Sequence, residues 1–176
     1  MPYFRDHRSV VATGALLQFV AVVPLTAFAV VSTERLRRSG VTGAAPLVAQ
    51  AGGLLAAAFL ACSAMASWVL SRPEVVADEG LVRAFQDLAF VTGGPGHVVP
   101  LGLLVGGLAV AAGARGGLLP RWLAVVGLII SGIALASALT LVLSGAAFLL
   151  PIARFTGLIW LVATGFLLAR ARTEAF

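Results

Sequence analysis

Lysine does not occur in this 176-residue chain, whose 12 basic residues are all arginine. A surface built for nucleic acid clusters its cations, whereas these arginines stand apart at the ends of apolar runs, where topology signals sit. With the abundant Ala and Gly, they read as the codon bias of a high-GC genome and not as a polyanion-binding surface. Cysteine is as scarce. Cys62 stands alone, so neither an intrachain disulfide nor a cysteine metal cluster can form. Its setting among alanines points to a small packing residue. Histidine occurs only at His7 and His97, which argues against a haem, and no further ligands for zinc are in view. No Walker loop, nucleophile elbow, HExxH motif or pair of catalytic carboxylates is present, so no cofactor is expected and an enzyme is the less favoured class.

The decisive lack is of charge. Between Arg8 and Glu34, Arg38 and Arg72, Asp87 and Arg115, and Arg121 and Arg154, no side chain is permanently charged. A shorter fifth stretch covers residues 155–169. Soluble domains average about 25% charged residues; this chain has 11%, with 60% hydrophobic residues and a mean hydropathy of +1.05. The composition is that of a chain that meets lipid, not water. The expectation is an all-α integral membrane bundle with five transmembrane helices, at about 10–31, 46–70, 81–114, 121–143 and 150–169, in one domain over residues 1–176.

The N-terminus has the layout of a cleavable signal peptide: Arg5 and Arg8, an apolar run, Pro24, then Ala27-Phe28-Ala29. The run continues to Val31 and is followed at once by Arg35, Arg37 and Arg38, which fits a retained helix better. Ser9 is placed to cap this helix and Pro24 to kink it. Gly40 and Gly43 mark a loop, and Pro46 suits the first turn of the second helix. Trp68 and Trp122 stand where interfacial anchors belong. Apolar residues at 81, 82, 85, 88 and 89 have helical spacing, so an amphipathic helix precedes the third span, which is broken at Gly93-Gly94-Pro95-Gly96-His97. The fifth span is too short to cross unless it starts near Leu150-Pro151, which draws Arg154 into the membrane edge.

Five spans put the termini on opposite sides. Five arginines fall on the N-terminal side and seven on the other, which favours an N-terminus outside and a C-terminus in the cytoplasm. In either orientation Arg83, Asp87, His97 and Arg154 share one membrane half. Asp87 is therefore a candidate partner for Arg154. His97, beside the free backbone expected around Gly94 and Pro95, is a candidate to bind a ligand or to accept a hydrogen bond. The candidate polar cluster is thus His97, Arg154, Asp87, Arg83, Gly94 and Pro95. Gly102 and Gly106 form a GxxxG pair, and Gly53, Ala57 and Ala61 a small stripe; helix packing within one chain accounts for both.

Three stretches together resemble a family of uncharacterised multi-pass membrane proteins of high-GC actinobacteria, defined by a domain of unknown function. They are Asp87-Leu88-Ala89-Phe90 with Thr92 to His97, Leu119-Pro120-Arg121-Trp122-Leu123, and Leu150-Pro151 with Arg154-Phe155 and Leu158-Ile159-Trp160. The resemblance implies a small plasma-membrane bundle and no particular activity. The expected function is an accessory or sensing component with the lipid bilayer as surroundings, a protein partner or second copy as possible company, and no nucleic acid. The alternative is a small-molecule or lipid binder, transporter or membrane enzyme using a pocket at His97 and Arg154.

Overall fold

The computed structural model describes residues 7–115 and 117–170 and, among these, contains helices and no strand. Five of its helical stretches are long and apolar enough to cross a membrane: Arg8–Arg38, Ala44–Val69, Glu79–Gly113, Arg121–Leu141 and Gly145–Leu168. The chain is an all-α membrane bundle. Its first span consists of α1 (Arg8–Val20) and α2 (Val22–Arg38), and its second is α3 (Ala44–Val69). After the short α4 (Pro73–Val76), the third span is built from α5 (Glu79–Gly93), α6 (Pro95–Leu108) and a π-helical end at Ala109–Arg115. The fourth span is α7 (Arg121–Ala136) with a 3-10 extension, Ser137–Leu141. A second 3-10 turn, Ser144–Phe148, leads into α8 (Leu149–Arg170) of the fifth span.

The first span starts at Arg8, so Ser9 lies inside its first turn instead of capping it. The interruption falls at Ala21, three residues before Pro24, because a proline has no N–H to give the carbonyl one turn back. The helix then runs on to Arg38, well past residue 31. Ser32 and Thr33 there turn their hydroxyls back onto Phe28 and Ala29 carbonyls, and Arg38 pairs with Glu34 at 2.7 Å, one turn away. Trp68 lies exposed at the end of α3 with the Arg72 guanidinium 5.2 Å from its ring centre, a cation–π contact suited to a membrane boundary.

Asp78 starts the third span by accepting the amides of Gly80 at 2.8 Å and Leu81 at 3.1 Å. The break is narrower than the five residues the Gly-Pro run suggests. Only Gly94 leaves helical geometry (φ −88°, ψ −108°), and Pro95, whose missing amide costs nothing at a first helical position, restarts the helix. α8 supplies 22 residues, about 33 Å, so the fifth span reaches full length by taking in Arg154 in its second turn.

The third span is the axis of the bundle: 72% of its most apolar window is buried, against 11% for the first span. Small residues allow the neighbours in. A Cβ on Gly52 would come within 2.7 Å of the Leu104 amide nitrogen and the Pro100 carbonyl, so α3 and α6 meet backbone to backbone. Gly102 and Gly106 face Ala134 and Ser131 of α7, and the Ser131 hydroxyl donates to the Gly102 carbonyl at 2.8 Å. The GxxxG pair is thus filled within the chain. Cys62 is the exception to the packing expectation, for it is exposed. It follows that not every small residue in α3 faces a neighbour, since lipid tolerates small side chains as readily as large ones.

Candidate functional site

Arg154 sits five residues into α8, about 8 Å along the helix from Leu149. Its side chain is half-buried in a lateral cleft of about 380 Å³. Gln18 of α1, Ser63 of α3, Phe90, Gly93 and Gly94 at the end of α5, and Leu150 and Phe155 of α8 line the same cleft. The first, second and fifth spans thus bring polar residues together at one cleft. Gly93 permits the approach: a Cβ there would run into the Ser63 hydroxyl, with the Gln18 carboxamide nitrogen 3.8 Å away. Ser63 donates its hydrogen to the Ala89 carbonyl at 2.9 Å, tying α3 to α5 at the cleft wall.

The guanidinium of Arg154 has no ion pair and no hydrogen bond among the described residues. Insertion scales assign a charge in the membrane about 2.5–3.5 kcal/mol, least near the ends of a span. Asp87 does not offset that cost. It is exposed on α5 and forms no ion pair with Arg154. The reason is axial offset: Leu150 packs at Gly94, so Arg154 is one turn deeper than Gly94, while Asp87 is two turns shallower. Sharing a membrane half did not bring the two charges within reach. Arg83 is one turn shallower again and also exposed.

Gly94 lines the cleft, whereas Pro95 is buried as the first residue of α6. His97 faces the interior with 2% exposure and does not line the cleft: its Nδ1 is 2.9 Å from the Ala56 carbonyl oxygen of α3. A carbonyl can only accept, so Nδ1 carries the hydrogen and donates. The structure therefore gathers Arg154 and Gly94 at one site and leaves His97, Pro95, Asp87 and Arg83 outside it. Gln18 and Ser63 belong to the site without having been singled out. Gln18 could have been found as the one carboxamide in the first uncharged stretch, had uncharged polar groups been weighed beside charges. Among the described residues, no group of three or more His, Cys, Asp or Glu side chains is placed to hold a metal ion.

The chain matches no protein-family model, no curated protein and no solved structure.

Proposed function

We propose that this chain is a small multi-pass protein of the bacterial plasma membrane that works without catalysis, as an accessory or sensing component whose working part is the cleft beside Arg154. The observation that carries this reading is the cleft itself: a membrane-level recess walled by a cation, a carboxamide and a hydroxyl. Nothing in its lining pairs a nucleophile with a base, and the Ser63 hydroxyl is already committed to a backbone carbonyl. That supports binding over bond-making. A membrane enzyme or carrier built on His97 with Arg154 is the weaker alternative, since His97 is hydrogen-bonded to Ala56 and does not line the cleft. The arginine distribution supports an N-terminus outside, which would put the cleft in the outer half.

The test is occupancy of the cleft in a membrane. Reconstitution with a diazirine-bearing phospholipid, illumination and peptide mapping should place adducts on Phe90, Ala147 and Phe155. Adducts confined to outward residues such as Leu17, Val23 and Ile159 would overturn the reading.

A further inference from the structure

We infer that the ligand of this cleft is an anionic phospholipid of the surrounding bilayer, its phosphate held by the Arg154 guanidinium with the Gln18 carboxamide as second donor. The inference rests on the reading of the cleft as a binding site and names what that site selects.

Charge comes first. The lining contains one cation and no acid, and Arg154 has no protein partner among the described residues. Among the described residues the acids are engaged or remote: Glu34 pairs with Arg38, Glu74 approaches Arg72 at 4.0 Å, Asp78 caps α5, Asp87 is three turns away along the bundle, and Glu79, at the start of α5, is about two turns farther still. A half-buried guanidinium without a counter-charge is completed by an anion, and its planar fork of N–H donors matches a phosphate. Hydrogen bonding agrees. Ser63 has spent its hydrogen on Ala89, which leaves Arg154 and Gln18 as the side chains in the lining with N–H groups to offer.

The surroundings favour a lipid over a water-borne anion. The cleft mouth is framed by Phe90 and Phe155, exposed by 51% and 63%, with Ala147, Leu150 and Pro151 beside them. The connection leading to it, from Leu139 through Phe148, carries no charge and exposes Leu141, Val142 and Leu143. An acyl chain can lie along such a surface while its head reaches in; a hydrated phosphate ion has no polar path there.

Native mass spectrometry of the full chain in a neutral detergent tests this, with dioleoyl phosphatidylglycerol, dioleoyl phosphatidylcholine and inorganic phosphate as probes. Phosphatidylglycerol should bind about tenfold more tightly than phosphatidylcholine. Arg154→Gln should abolish that preference, Gln18→Leu should weaken it several-fold, and Arg83→Gln, an exposed cation of the same membrane half, should leave it intact. Equal binding of both lipids, lowered together by the cleft-filling Ala147→Trp, would overturn the charge selectivity while sparing the cleft as a site. Lipid binding untouched by Ala147→Trp would overturn both. Inorganic phosphate displacing the lipid at equal concentration would make the ligand a free anion and overturn the lipid assignment. Should Arg154→Gln fail to accumulate, Arg154→Lys decides: a retained but weaker preference supports the inference, and equal affinities overturn it.

Discussion

The imidazole of His97 and the carbonyl of Ala56, 2.9 Å apart, join the third span to the second at the centre of the bundle. The ring fills buried space and donates one hydrogen bond, and the two contributions can be separated. Cross-helix hydrogen bonds in membranes average about 0.6 kcal/mol, with an upper value of about 1.7 kcal/mol. Removing the ring's volume adds a cavity cost that a close-packed interior cannot relax away. His97→Ala should therefore lower stability by about 2–3 kcal/mol, and His97→Phe, which keeps most of the volume, by about 1 kcal/mol. Unfolding in mixed detergent micelles measures both. Phospholipid adducts at Phe155 should survive in the two variants, because the ring lies outside the cleft. Equal destabilisation by Ala and Phe would show that the hydrogen bond, and not the volume, is what His97 supplies.

How much of this was legible follows from the solvent. Span positions could be read because charges are excluded from lipid whatever a helix packs against, so Arg8, Arg38 and Arg121 mark ends, while Arg154 falls inside the fifth span because the uncharged stretch after it is too short to cross. Which face turns inward could not, since lipid and neighbouring helices are both apolar and leave little amphipathic pattern. Cys62 shows the consequence: an alanine-rich setting fits either face, and the residue faces out. Asp87 and Arg154 show another, because membrane side is a coarse coordinate while an ion pair needs a match within one helical turn. The inward direction of His97 was legible, since an imidazole cannot face hydrocarbon without a partner. Its choice of Ala56 depended on how close α3 and α6 approach, which their small residues set in three dimensions.

At the opposite end of the bundle, Arg35 donates from Nη1 to the Leu168 carbonyl at 2.8 Å. The C-terminal part of a helix carries partial negative charge that a guanidinium complements. One arginine of the first span thus ties down the last described turns of the fifth. Such a contact contributes about 0.3–1 kcal/mol, equivalent to an opening equilibrium about 2–5-fold larger when it is lost. Arg35→Gln should speed amide exchange at Phe166, Leu167 and Leu168 by that factor and leave the middle of α8 unchanged. Arg37→Gln, exposed and without this bond, is the control. Equal acceleration in both variants would mean that net charge, and not the contact, holds the helix end.

Two glycines of α7 differ only in what stands opposite them. A Cβ on Gly127 would lie 2.6 Å from Cζ2 of Trp160 and 2.9 Å from the Ala109 Cβ, whereas one on Gly132 meets nothing within 4 Å. Trp160 cannot simply retreat, because its Nε1 donates to the Leu123 carbonyl at 2.8 Å. Gly127→Ala should therefore destabilise the chain by about 1–3 kcal/mol through overpacking. Gly132→Ala should stabilise it by up to about 1 kcal/mol, since alanine restricts the unfolded chain and is the better helix former. The clash has a named partner, which makes the claim sharper than a sign. In a Trp160→Phe background the offending ring atoms are gone, so the cost of Gly127→Ala should shrink while the stabilisation by Gly132→Ala stays the same. A double-mutant cycle on thermal unfolding in detergent measures this coupling, and a zero value for the Gly127–Trp160 pair would show that the fourth and fifth spans are not locked at this contact.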